Sequence, residues 1–257
     1  MTILYVNGDS HAAAAEAAVP HAWAQDDGFL WGMGRQPHPE NARVSFGCEL
    51  ANHLFAILDL DAQAGGSNAR IMRTTRAWIE RNRSSLADTF MLIQWSTWER
   101  EEWFYDDEWW QVNASGIDQV PPELEPRYKQ FVVDVDWPSC TRRAHDEIWQ
   151  FHCELEQQGI RHLFFNANSH FATPVLNAQN LMEPVILPQD QKDWGSSYIG
   201  PYLPEMTYDH VLKNNGFEYK NPASYHFGAD AHCFWGEYLL QYIKRNQLLR
   251  PDEIPVN

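Results

Sequence analysis

Ile3-Leu4-Tyr5-Val6-Asn7-Gly8-Asp9-Ser10-His11-Ala12 is the stretch on which the rest of the chain turns. Ile3 to Val6 is an apolar run and reads as a short buried first strand. Ala12 to Ala18 is rich in good helix formers and predicts a helix. Ser10 then stands where a strand turns sharply into a helix. A helix N-terminus leaves backbone N–H groups unpaired and carries partial positive charge. A serine oxygen there is placed to attack a carbonyl while nearby N–H groups hold the oxyanion. The commoner role for such residues is simpler: Asp9 or Ser10 caps the helix.

Outward from this turn, apolar patterning alternates between two periods. Phe46 to Leu58 has helical spacing, Leu60 to Ala64 reads as a strand, and Gly65-Gly66-Ser67-Asn68 opens a helix over Ala69 to Arg81. Thr89 to Trp95 is apolar almost throughout, as expected of a central parallel strand. Cys140 to Gln158 predicts a helix stopped by Gly159, Arg161 to Asn166 a strand, and Tyr208 to Asn214 and Ala229 to Leu248 further helices. The alternation predicts a three-layer α/β/α sandwich around a mostly parallel sheet of about five strands. The fifth strand is sought in Phe131 to Val135. No linker-like stretch interrupts 1–257, so one domain is expected, with long insertions near 20–45, 96–126 and 167–206. Ligands of such sheets sit at the carboxyl ends of the strands, where Ser10, Gly66, Ser96 and Asn166 all fall.

Composition narrows the partners. A net charge of −16 argues against nucleic acid and against an anionic membrane surface. No apolar run reaches the roughly 18 residues of a membrane span, and the N-terminus has no leader pattern. Cys48, Cys140, Cys153 and Cys233 fit no disulfide framework or zinc spacing and are expected as thiols of a cytoplasmic protein. The histidines show no H-x-x-x-H pattern, so neither metal nor cofactor is expected.

A nucleophilic serine needs a base. His226, in Tyr225-His226-Phe227-Gly228-Ala229-Asp230-Ala231-His232, lies just before the last predicted helix. With it, the chain resembles the SGNH (GDSL-like) hydrolases over nearly its full length. Gly8-Asp9-Ser10 matches that family's nucleophile turn, Gly66 its oxyanion glycine after the second strand, His226 its catalytic histidine and His232 its second, structural one. The resemblance implies the flavodoxin-like fold of that family and a Ser–His mechanism on a small-molecule or glycan ester, O-acetyl groups included.

Two positions depart from the family pattern. The third block reads Gln94-Trp95-Ser96-Thr97-Trp98, without the family's oxyanion Asn; Ser96 or Thr97 is left to donate, with Arg100 pointing back. Ala223 stands where the family has its acid, three residues before His226. A backbone carbonyl, a water or another carboxylate is left to orient the ring, with Glu99, Glu101 and Asp209 among the candidate carboxylates. The variant third block is similar to that of a divergent branch found in bacteriophage proteins, for which a virion or host-cytoplasm setting follows. The alternative is a fold that binds a glycan or a protein partner without turnover.

The remaining conspicuous residues have plain readings. Asp9 could be taken for an acid; the resemblance implies instead that it fixes the turn through backbone hydrogen bonds. His11 either touches substrate or, more commonly for such a residue, is held at the helix start by its own backbone. Asn68 either donates its amide to the oxyanion region or caps the following helix. The acidic run Glu99 to Glu108 reads as a solvated face.

Overall fold

The computed structural model describes residues 2–21, 37–114, 116, 120–176, 182–185, 191–250 and 253. Four parallel strands form its sheet, in the order β2-β1-β3-β6: β1 (Ile3–Asn7), β2 (Ile57–Leu60), β3 (Thr89–Trp95) and β6 (Arg161–Asn166). Val6 lies beside Leu60 and Leu92, and Trp95 beside Asn166, so the carboxyl ends come together at one edge.

The period-2 alternation of these strands builds two cores. Leu4, Val6, Phe90, Leu92 and Phe165 face α2 (Phe46–Leu54) and α7 (Ala229–Arg245), through Phe46, Leu50, Trp235 and Leu239. Tyr5, Met91, Ile93 and Phe164 face α3 (Asn68–Arg81) and α5 (Trp137–Gln157), through Ile71, Trp78, Ile148 and Phe151. Both faces of the sheet are therefore covered, which is why β3 has no polar face to show and all of its residues are buried. The α/β/α expectation holds.

Smaller elements complete the description: α1 (Pro39–Ala42), α4 (Glu125–Asp134), α6 (Tyr208–Asn214), and the antiparallel hairpins β4 (Glu101–Tyr105) with β5 (Glu108–Val112), β7 (Thr173–Leu176) with β8 (Met182–Val185), and β9 (Tyr219–Asn221) with β10 (His226–Phe227). The β4–β5 turn places Asp106 (φ 51°) and Asp107 (φ 61°) in the left-handed region, as a tight hairpin turn requires.

Four sequence expectations are corrected. Ala12 to Ala18 is not a helix but a run of turns with Ala14 (φ 51°) and Glu16 (φ 62°) left-handed. Helix propensity loses there because distant side chains supply the acceptors: Gln94 Oε1 takes the Ala12 N–H, and Asn41 Oδ1 takes those of Ala18 and Val19. Phe131 to Val135 supplies no fifth strand; Phe131 to Asp134 belong to α4, with Val133 exposed on its outer face. The strand read at Leu60 to Ala64 runs instead over Ile57–Leu60, because Phe55 (φ 49°) ends α2 early. Finally, the stretch Asn221 to Gly228, read as loop, holds part of the β9–β10 hairpin. Most of the aromatic loop near 20–45 lies outside the described residues, as do 177–181 and 186–190 of the late one.

Candidate active site

The end of β1 is held from below. Asn7 Oδ1 accepts the Gly8 N–H at 2.8 Å and Arg70 Nη1 at 3.2 Å, while Arg70 also pairs with Asp61 at 3.0 Å. Gln94, a buried amide at the end of β3, carries the turn itself. Its Oε1 accepts from Asp9 N at 3.0 Å and Ala12 N at 3.2 Å, and its Nε2 donates to Trp95 O at 2.7 Å. Gly8 is where this close approach occurs: a Cβ there would lie 2.6 Å from Ala12 Cβ and 2.7 Å from Gln94 Oε1. Sequence reading passed over Gln94; the signal was a glutamine ending an otherwise apolar central strand.

Asp9 is 2% exposed and serves the turn. Its carboxylate accepts from His11 N at 2.9 Å, Ser96 Oγ at 2.7 Å and Arg100 Nη1 at 3.2 Å. Burial opposes the charge, but His11, Arg100 and the hydrogen bonds outweigh it and hold the carboxyl below its ordinary value. Ser10 follows at 8% exposure. Among the described residues neither its amide N–H nor its Oγ makes a hydrogen bond, so both are available to a ligand.

The residues picked as oxyanion donors are engaged elsewhere. The Gly66 N–H donates to Gln63 O at 2.9 Å. The Ser96 hydroxyl is spent on Asp9, and Thr97 Oγ1 donates to Glu99 Oε1 at 3.0 Å. Asn68 braces the backbone of Ser96, accepting its N–H at 2.8 Å and donating to its carbonyl at 3.3 Å. The cap of α3 is Ser67, whose Oγ accepts from Arg70 N at 3.2 Å. Arg100 does point back, with Nη1 on Asp9 and, at 3.4 Å, on Gly66 O. Asn68 and Arg100 also line a cavity of about 220 Å³ with Trp98, Trp103 and Arg127.

A carboxylate meets His226 from a place that family position did not indicate. His226 Nδ1 is 2.7 Å from Glu16 Oε2. Glu16 also accepts from Ser224 Oγ and, at 3.2 Å, from Asn221 Nδ2. Burial opposes its charge, yet the bonds from Ser224 and His226 prevail and its pKa is lowered. The left-handed turns at Ala14 and Glu16 thus swing the carboxylate under the imidazole. Backbone strain of this kind persists where surrounding contacts over-determine it, and Lys220 Nζ adds bonds to Ala17 O at 2.9 Å and Ala18 O at 3.0 Å. The three acids proposed from sequence are occupied: Glu99 by Thr97, Glu101 by Trp103 Nε1 at 2.8 Å, and Asp209 by Tyr219 Oη and by Lys213 at 2.9 Å. Glu16 had one sequence signal, as the single charge within Ala12 to Ala18.

His226 and Ser10 are not hydrogen bonded to each other, a looseness common before substrate tightens a site. His232 accepts from Phe46 N at 3.4 Å and stacks on the Phe46 ring at 5.7 Å. Burial depresses its pKa to about 3, so it is a neutral packing element. His11 does not sit on a helix; its ring lies 5.7 Å from the His226 ring and 5.4 Å from that of Tyr208.

Away from this edge, His152, Glu156 and His162 come together with ligand atoms within 4.8 Å, a grouping the sequence pattern did not reveal. His152 Nδ1 and His162 Nε2 are hydrogen bonded directly at 2.8 Å, so those nitrogens satisfy each other. The run Glu99 to Glu108 is only partly solvated: Glu102 is buried against Arg73 at 2.6 Å. The four cysteines are free thiols. No helix among the described residues is long and apolar enough to cross a membrane.

No protein-family model and no curated protein matches the chain. Among solved structures, a psychrotrophic esterase from Pseudoalteromonas sp. aligns at TM-score 0.46 with 10% identity, covering 95% of this chain and 98% of its own. An alpha/beta hydrolase from the metagenome of Lake Arreo, Spain, aligns at TM-score 0.43 with 10% identity and 95% of each chain. A protein of the G-D-S-L family from Desulfitobacterium hafniense aligns at TM-score 0.31 with 11% identity, over 97% of this chain and 100% of that one. These are likenesses of fold.

Proposed function

We propose that the chain is a serine hydrolase of carboxylic esters, O-acetyl groups included, acting through Ser10, His226 and Glu16. The observation that carries this reading is the 2.7 Å bond between His226 Nδ1 and Glu16, two residues 210 positions apart. A carboxylate on Nδ1 fixes the tautomer that leaves Nε2 free to take a proton, and it stabilises the imidazolium that follows. In the reaction, His226 removes the Ser10 hydroxyl proton and Oγ attacks the ester carbonyl. The Ser10 N–H, without a partner among the described residues, receives the oxyanion, and Arg100 keeps positive charge beside the Asp9 turn. His226 returns the proton to the departing alcohol, then draws one from the water that attacks the acyl group and passes it to Ser10 Oγ as the acid leaves.

A fluorophosphonate probe, which forms a covalent bond only with an activated serine, tests the reading. Labelling in the native chain, its loss in Ser10→Ala, and turnover of p-nitrophenyl acetate above the Ser10→Ala background are expected. Absence of both labelling and turnover overturns it. One observation favours a second reading: the engagement of Gly66, Asn68, Ser96 and Thr97 within the protein, which leaves a sparse oxyanion site. A ligand-binding protein without turnover would then bind an acetylated glycan and return it unchanged.

A further inference from the structure

Five histidines are buried: His11, His145, His152, His162 and His232. Four have a ring hydrogen bond: His145 to Tyr202 Oη at 2.9 Å, His152 to His162 at 2.8 Å, His162 also to Ile160 O at 2.9 Å, and His232 to Phe46 N at 3.4 Å. His11 alone has none among the described residues, although it is 8% exposed. Its ring nitrogens are unbonded but not sealed from solvent, so a ligand entering the site can meet them. Tyr208 Oη, by contrast, is sealed from solvent and unbonded, on a ring 5.4 Å from that of His11. An imidazole with open, unbonded nitrogens thus stands next to the proposed nucleophile.

The position of the ring says what would satisfy it. His11 follows Ser10 in the chain, and its ring meets that of His226 edge to face at 5.7 Å. The general base returns its proton to the alcohol half of an ester, so the His226 side of Ser10 is the leaving-group side. Asp9, Arg100, Asp209, His226 and His232 are the charged or titratable groups that face His11. Among them burial dominates and holds the His11 pKa at about 4, so the ring is neutral at pH 7, with one donor and one acceptor.

We propose that His11 binds the alcohol half of the substrate, and that this alcohol carries a hydroxyl beside the ester oxygen to meet the imidazole. The proposal rests on the hydrolase reading and extends it to a substrate class. His11 is a binding residue here, separate from the Ser10, His226 and Glu16 chemistry.

The test compares glyceryl monoacetate, whose alcohol keeps free hydroxyls, with ethyl acetate, whose alcohol has none. His11→Phe keeps an aromatic ring against Tyr208 and removes both hydrogen-bonding nitrogens; His11→Gln keeps a donor and an acceptor. Expected is a fall of about tenfold in kcat/KM for glyceryl monoacetate in His11→Phe, ethyl acetate within twofold of the native rate, and recovery of most of the loss in His11→Gln. An equal fall on both esters shows that the ring acts by packing His226 and overturns the proposal. An unchanged rate on both overturns it as well. Labelling of Ser10 by fluorophosphonate without turnover of either ester keeps the nucleophile and refutes the alcohol class. Absence of labelling and turnover together removes the hydrolase reading, and the proposal with it.

Discussion

Replacing Glu16 by Gln keeps the side chain's length and removes its charge. Three donors lose a carboxylate at once: His226 Nδ1, Ser224 Oγ and Asn221 Nδ2. An amide can still accept through its oxygen, but it cannot stabilise an imidazolium, and its NH₂ can face the ring nitrogen and select the wrong tautomer. Loss of the orienting carboxylate in a serine protease lowers kcat by about 10⁴. Here the Glu16 side chain is 20% exposed, so water takes over part of the role, and a fall of about 10² to 10⁴ is expected. Stability moves less. The lost charge-assisted bonds are worth about 1.5–3 kcal/mol each when buried, and this partly open site realises a fraction of that. Glu16→Gly separates the two quantities. It loses the carboxylate entirely, yet glycine accepts φ 62° without strain, so its Tm is expected above that of Glu16→Ala while both lose activity alike. Steady-state kcat on p-nitrophenyl acetate beside thermal melts checks this. A Glu16→Gln rate within threefold of native, with Ser10→Ala and His226→Ala inactive, refutes the argument.

Other perturbations have equally definite outcomes. Gly8→Ala puts a Cβ at 2.6 Å from Ala12 Cβ, so a loss of about 1–3 kcal/mol in urea unfolding is expected, together with loss of Ser10 labelling. Gln94→Leu strips the acceptor from the Asp9 and Ala12 amides; at about 1–3 kcal/mol per unsatisfied buried donor, it costs more than any surface change in the same unfolding assay. On acidification, burial lowers the pKa values of His11 and His162 to about 4 and of His232 to about 3 in the folded protein. The unfolded chain therefore binds protons from about pH 6.5 downward while the folded one does not. Stability is full above that value and is lost as pH falls toward 4, at up to about 1.4 kcal/mol per pH unit for each ring. Unfolding midpoints between pH 7 and 4.5 check the sign, and His162→Gln should flatten the slope.

What the sequence disclosed follows from how local each signal is. Thr89–Trp95 and Arg161–Asn166 were legible to the residue because apolar runs in a two-faced parallel sheet need no context. The end of α2 was not, since Phe55 terminates it by a backbone conformation that its side chain does not announce. In the candidate site, Ser10 and His226 were singled out by resemblance to a family's motifs, and the structure sets a carboxylate against His226. The carboxylate itself was hidden. Glu16 sits in an alanine run whose intrinsic preference is helical, and Gln94 and Asn41 override that preference from 78 and 25 positions further along the chain. The partners of the donors chosen near Gly66 and Ser96 were hidden for a related reason: each is a suitable chemical type, but which backbone or carboxylate oxygen it meets is set by the fold.

The contact between Glu16 and the β9–β10 hairpin also has a temporal side. Lys220, Asn221, Ser224 and His226 all close on residues 16 to 18, across separations of 202 to 210 residues. On the proposed mechanism, a growing chain therefore carries Ser10 without its base until the hairpin that bears His226, made 210 residues after Glu16, has docked. The proposal then makes the unfinished protein chemically silent, and the appearance of serine reactivity during translation would report the arrival of that hairpin.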